Sequence, residues 1–155
     1  MAAAAGQLAA ADACPRPSSQ EFMMSAKTVL FVCVENSNRS QMAEAFARMH
    51  GGVGIQAFSA GSRPAGRINP RAIAAMQERG YDLTAHDSKG LSDFNGRRVD
   101  AAVTMGCGDE CPLVEAKLRA DWKIPDPREM PPEEFRQVRD LIESKVLELL
   151  QRLQD

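Results

Sequence analysis

Thr28-Val29-Leu30-Phe31-Val32-Cys33-Val34-Glu35-Asn36-Ser37-Asn38-Arg39-Ser40-Gln41-Met42-Ala43-Glu44-Ala45-Phe46-Ala47-Arg48-Met49 reads as a buried strand, a short polar loop and a helix. Thr28 to Val32 form a short apolar run suited to a strand covered on both faces, and the apolar residues of Gln41 to Met49 recur at helical spacing. Cys33 therefore stands at the carboxyl end of the strand. A loop that wraps from there into the first helical turn aims unpaired backbone N–H groups at one point, and the helix dipole adds positive potential. Such a nest binds a tetrahedral oxyanion, and the same field favours a thiolate over a thiol. Cys33 is the candidate nucleophile; Val34, Glu35, Asn36, Ser37, Asn38, Arg39 and Ser40 are the candidate anion-binding residues. The planar fork of Arg39 suits two oxygens of one anion. The Ser40 hydroxyl is a donor for the sulfur, and Asn36 tolerates left-handed torsions in a tight loop. The competing reading is an inert core thiol at a strand end, against which Arg39 and Ser40 stand at the spacing the chemistry wants. A GxxxxGK[ST] loop is absent, which argues against nucleoside triphosphate binding.

A chain of 155 residues fits one domain that buries about two-thirds of its unfolded surface without staples. Nineteen basic and twenty-one acidic residues leave a formal charge of -2, so nothing draws the whole chain to nucleic acid or to an anionic membrane. No apolar run approaches the ~20 residues of a membrane helix, and the Ala-rich start lacks the pattern of an export signal. The expectation is a cytoplasmic protein whose four cysteines are reduced, catalytic or metal-bound rather than structural disulfides.

Residues 1–26, rich in Ala with Pro15, Pro17, Ser18 and Ser19, read as a disordered extension that includes Cys14, and 27–155 as the domain. From Lys27 strand and helix alternate, which predicts an α/β domain with a four-stranded parallel sheet and helices on both faces. Ile55–Ala60 is a second strand. Asn69-Pro70 caps and opens a helix that buries Ala72, Ile73 and Met76 and stops at Gly80. Val99–Thr104 is a third strand, Asp121–Ile124 a short fourth, and Pro125-Asp126-Pro127 forbids regular structure after it. Pro131 and Pro132 open the longest helix, with a stripe of Phe135, Val138, Leu141, Ile142, Val146, Leu149 and Leu153.

A second constellation, Thr104-Met105-Gly106-Cys107-Gly108-Asp109-Glu110-Cys111-Pro112, places two cysteines in a loop at the end of the third strand. In a parallel sheet that is the edge that carries Cys33. Two thiols near a nucleophilic thiol suit a relay in which one sulfur attacks a covalent intermediate and another resolves it as a disulfide. A zinc site and unreactive packing are the alternatives for Cys107 and Cys111. Asp126 is a candidate general acid because its prolines hold a carboxyl group stiffly. His50 is read as a helix-end histidine favoured by the negative dipole end, and His86 has no motif around it.

Together these elements resemble the low-molecular-weight protein tyrosine phosphatase family, in particular its arsenate reductase branch. The resemblance spans about 27–153 and rests on Val29–Cys33, Asn36, Arg39–Glu44, Ser59-Ala60-Gly61, Asn69-Pro70, Val103–Met105, Cys107–Pro112, Asp126-Pro127 and Glu134–Asp140. Phosphatase members usually carry proline after Arg-Ser, whereas Gln41-Met42-Ala43 is similar to the reductases. The resemblance implies that Cys33 attacks arsenate, that Arg39 and the loop amides bind it, and that Asp126 protonates the leaving oxygen. It further implies that Cys107 attacks the Cys33 adduct, that Cys111 takes over the disulfide, and that thioredoxin or a low-molecular-weight thiol restores the enzyme. It implies no metal or organic cofactor. Glu35 stands where many relatives have glycine, so its carboxylate must point away from the oxyanion or repel it. Asn38 replaces a cysteine found in many members. Two rival functions remain open at this point: a phosphomonoester hydrolase, which needs Cys33, Arg39 and Asp126 but neither later cysteine, and a non-enzymatic module that binds an oxyanion or a metal.

Overall fold

A computed structural model describes residues 26–106 and 114–154. Apart from Ala26, the expected leader lies outside the described residues, as do Cys107 and Cys111. The first apolar run forms β1 (Lys27–Cys33), whose side chains alternate between two buried faces. β1 pairs in parallel with β2 (Ile55–Gly61) on one side, Cys33 opposite Gly61, and with β3 (Arg98–Thr104) on the other, Phe31 opposite Val103. β4 (Glu115–Asp121) joins β3 in parallel, which gives the order β2-β1-β3-β4. The chain leaves β1 toward one side of the sheet and returns to build on the other. The carboxyl ends of β1 and β3 therefore flank a topological switch point, where open α/β sheets leave a crevice for ligands.

Val29 and Phe31 face α1 (Arg39–Gly51), α2 (Pro70–Gln77) and α3 (Pro132–Gln154) through a core that includes Met42, Phe46, Met76 and Ile142. Leu30 and Val32 face the other way, onto a smaller cluster closed by Phe94 of the 3₁₀-helix Leu91–Phe94. Helical elements thus flank the sheet on both faces, unequally among the described residues. α1 is buried from Arg39 to Ala47, and each fully enclosed side chain such as Phe46 contributes roughly 1.5–3 kcal/mol. The helix that carries the anion loop is therefore a fixed part of the core.

α2 begins as its sequence predicts: Asn69 Oδ1 accepts the Arg71 amide at 2.8 Å and Pro70 occupies the first turn. The chain then turns at Gly80, whose φ of 82° suits glycine. In α3 the stripe is as expected except that Leu141 is exposed and Leu150 is buried as well.

The fourth strand is a correction. It occupies Glu115–Asp121, not Asp121–Ile124. Its alternation of charged Glu115, Lys117, Arg119 and Asp121 with Ala116, Leu118 and Ala120 marks a charged edge strand built from residues of low strand propensity. Trp122 keeps one bond to β3, its amide donating to Thr104 O at 2.8 Å, before the chain leaves the sheet through Ile124 toward Pro125.

Candidate active site

The loop after β1 is held by its carbonyls. The oxygens of Cys33, Val34 and Glu35 accept the amides of Ser62, Arg63 and Ala65 at 3.2, 2.8 and 2.9 Å. Asn36 O accepts Gln41 Nε2 at 3.1 Å, Ser37 O accepts the Asn69 amide at 3.1 Å, and Asn38 O accepts the Met42 amide at 3.0 Å. In a trans peptide the N–H lies opposite the C=O of the preceding residue. With each carbonyl from Cys33 to Asn38 bound to the wall around the loop, the amides of Val34 to Arg39 turn to its enclosed side. The curve requires a left-handed residue at Asn36, φ 50°, and close approach of β2: a Cβ at Gly61 would lie 2.6 Å from Val34 O. This is the loop that the sequence marks as a candidate anion nest, and the amino terminus of α1 closes it.

Cys33 Sγ lies 2.8 Å from Ser40 Oγ. Asn36 Nδ2 donates to the same hydroxyl at 2.9 Å, which leaves the hydroxyl proton free to point at the sulfur. Asn36 Oδ1 in turn accepts Gln41 Nε2 at 2.8 Å and the Lys89 amide at 2.7 Å. Gln41 Oε1 meets His86 Nδ1 at 2.9 Å, and His86 Nε2 meets the Tyr81 hydroxyl at 2.6 Å. One neutral tautomer satisfies the whole chain, with Nδ1 donating to Gln41 and Nε2 accepting from Tyr81. Burial lowers the pKa of His86 against the opposing pull of the nearby Glu44 carboxylate, and burial raises that of Tyr81. Beneath the loop, buried Glu44 accepts Ser59 Oγ at 2.6 Å and Arg48 Nε at 2.9 Å. Sequence reasoning passed over His86; no motif marks it, because its partner Gln41 is 45 residues away in the chain. His50 sits in the last turn of α1, as read, and pairs with Glu143 on α3 at 2.8 Å.

A cavity of about 290 Å³ opens onto Cys33 and is lined by Val34, Glu35, Ser37, Asn38, Arg39, Gly106, Asp126 and Arg128. Arg39 is buried, and its Nη1 donates to Ile124 O at 2.9 Å. Gly106, at φ 76°, lies so close to the guanidinium that an added Cβ would stand 2.5 Å from Nη1. The ends of β1 and β3 and the segment after β4 thus each contribute one wall. Among the described residues, Asn38 Oδ1 is buried there without a hydrogen-bond partner, an uncommon state for a polar atom. Glu35 does not stand free: Arg128 Nη1 donates to its Oε1 at 2.8 Å. Among the described residues no three His, Cys, Asp or Glu side chains converge to hold a metal ion.

The model of the family described as low molecular weight phosphotyrosine protein phosphatase matches residues 28–155. The chain belongs to that family. Within it, the chain is 37% identical over 130 residues to a protein of Synechocystis sp. named glutaredoxin arsenate reductase, covering 82% of this chain and 98% of the relative. It is 36% identical over 127 residues to arsenate reductase 2 of Staphylococcus epidermidis, covering 79% and 95%. A solved structure described as an arsenate reductase in the phosphate binding state superposes with a TM-score of 0.75 at 36% identity, over 81% of this chain and 98% of that one.

In this member of the low-molecular-weight phosphatase family, Cys33, Val34, Glu35, Ser37, Asn38, Arg39 and Asp126 share one cavity. Asn36 and Ser40 stand behind it, in contact with the loop and the sulfur. Cys107 follows Gly106 of the cavity wall in sequence, and both it and Cys111 lie outside the described residues. No described helix is long and apolar enough to cross a membrane.

Proposed function

We propose that this chain is an arsenate reductase. The observation that carries the reading is a carbonyl-anchored loop that presents Cys33 and Arg39 to one cavity with Asp126, in a chain whose Gly106 wall runs directly into Cys107. The Cys33 thiolate attacks the arsenic of arsenate while Arg39 and the loop amides hold its oxygens; an As–O bond breaks and Asp126 supplies the proton that lets the oxygen leave as water. The Cys107 thiolate then attacks Cys33 Sγ. An S–S bond forms, the As–S pair of electrons stays on arsenic, and arsenite leaves with arsenic reduced by the two electrons the thiols give up. Cys111 attacks the Cys107 sulfur, frees Cys33 and leaves a Cys107–Cys111 disulfide. A cytoplasmic thiol reductant, thioredoxin or a low-molecular-weight thiol, returns both sulfurs to the reduced state.

Hydrolysis of phosphate monoesters is the second reading, favoured by the fact that Cys33, Arg39 and Asp126 need no other thiol for it. Arsenate-dependent oxidation of a reductant and hydrolysis of p-nitrophenyl phosphate, measured on wild type, Cys33→Ser and Cys107→Ser, separate the two. Cys33→Ser is expected to lose both activities and Cys107→Ser the reductase activity alone. Reductase turnover in Cys107→Ser at the wild-type rate would remove the relay.

A further inference from the structure

Glu35 places a carboxylate on the wall of an oxyanion cavity, and the opposite rim supplies its counter-charge. Arg128 Nη1 donates to Glu35 Oε1 at 2.8 Å and Arg128 Nη2 lies 3.4 Å from Asp126 Oδ2. The Arg128 amide donates to Asp126 Oδ1 at 3.0 Å. One planar guanidinium thus joins the anion loop to the segment that carries Asp126, and all three residues line the cavity that reaches Cys33. We propose that the Glu35–Arg128 ion pair is a selectivity bar across the cavity mouth, which admits small inorganic oxyanions and disfavours phosphate monoesters. The inference rests on the reading of Cys33 as nucleophile and of Asp126 as the group beside the leaving oxygen.

In-line attack by Cys33 puts the leaving oxygen on the far side of the central atom, toward Asp126. On a free oxyanion that oxygen carries at most a proton. On a monoester it carries an organic group that must run outward past Asp126, through the space that Arg128 spans to reach Glu35. No described lining residue is aromatic, so an aryl group finds no ring to stack on once the bar is displaced. Charge acts in the same direction. Without Arg128, the Glu35 carboxylate faces an incoming dianion with Arg39 as the one cation left among the described wall residues, and like charges in a cleft repel. An ion pair this exposed adds little to fold stability, so its consequence lies in the cavity's potential and shape. Arginine suits the bridge because its two ends reach two carboxylates in one plane, which a lysine ammonium does not.

The test compares wild type, Arg128→Ala, Arg128→Lys and the double variant Glu35→Ala/Arg128→Ala. Three readouts are taken: the dissociation constant of inorganic phosphate, read by protection of Cys33 from iodoacetamide; kcat/KM for arsenate reduction; and kcat/KM for p-nitrophenyl phosphate. Arg128→Ala is expected to weaken phosphate binding about tenfold, or ~1.4 kcal/mol, and adding Glu35→Ala to recover at least about threefold of that. The double variant is expected to move the ratio of ester to arsenate kcat/KM about tenfold toward the ester. Arg128→Lys, which keeps the charge without the bridge, is expected to retain phosphate binding yet shift the ratio in the same direction. Should Arg128→Ala fail to fold, Arg128→Lys alone decides. Unchanged phosphate affinity in Arg128→Ala, or an unchanged ratio in both the double variant and Arg128→Lys, would overturn the bar. If wild type reduces no arsenate, the reductase reading fails on its own, while phosphate binding and ester hydrolysis across the same variants still decide the bar.

Discussion

Asn36 does two jobs that no other residue type does together. Its backbone takes the left-handed turn, φ 50°, and its side chain contacts Ser40, Gln41 and the Lys89 amide at once. Asn36→Ala removes three hydrogen bonds and strains the turn, so a loss of about 2–3 kcal/mol in denaturant unfolding is expected. Asn36→Gly keeps the turn but not the bonds and should cost less. Ser40→Ala leaves the sulfur without its nearest donor; alkylation of Cys33 at neutral pH should slow about tenfold, whereas an unchanged rate would show that the hydroxyl does not stabilise the thiolate. His86 gives a pH dependence. Its pKa is lowered in the fold, so the unfolded chain, with a histidine near 6.5, takes up the proton first as pH falls. The contribution of His86 is present above about pH 6.5 and is lost as pH drops from there toward the lower folded value. Wild type should therefore lose more stability than His86→Gln on acidification from about pH 7 to 5.5, as read by urea melts at each pH.

At the scale of elements, glycines decide how closely the walls of the site approach. Gly106→Ala puts a methyl group 2.5 Å from Arg39 Nη1 at a backbone φ of 76°. The guanidinium must shift and the backbone is strained, so phosphate binding should weaken about tenfold or more, with a loss of about 1–2 kcal/mol in unfolding. The strand–loop–helix that carries the site was legible in the chain because three local signals agree there: an apolar run, a turn-forming Asn, and a helical period after Arg-Ser. Asn69-Pro70 and the stripe of α3 were legible for the same reason. The fourth strand was not, because an edge strand of alternating Glu, Lys, Arg and Asp carries little strand propensity, and its place is set by pairing with β3. Asp126, which its proline bracket singles out in the sequence, lines the cavity. His86 and Arg128 were missed as site residues because their meaning lies in contacts 45 and 93 residues away, with Gln41 and Glu35, and no spacing rule reaches that far.

In the whole molecule, the reversal of strand order places the ends of β1 and β3 side by side, and the large core on the Phe31 face holds α1 rigid behind the loop. Core stability and anion binding are thereby separable. Ile142→Ala, at a fully buried position of α3, should cost about 2–5 kcal/mol in unfolding and leave the phosphate dissociation constant of the folded protein unchanged. A parallel loss of affinity would mean that the loop draws its shape from α3 rather than from its own carbonyl bonds.

The relay built on the anion nest is tested most directly by mapping the sulfurs after a single arsenate turnover without external reductant. One arsenite released per chain, a disulfide between Cys107 and Cys111, and Cys33 again open to alkylation are expected. Arsenite released with all of these thiols still reduced, or no arsenite released from protein that binds the anion, would contradict it.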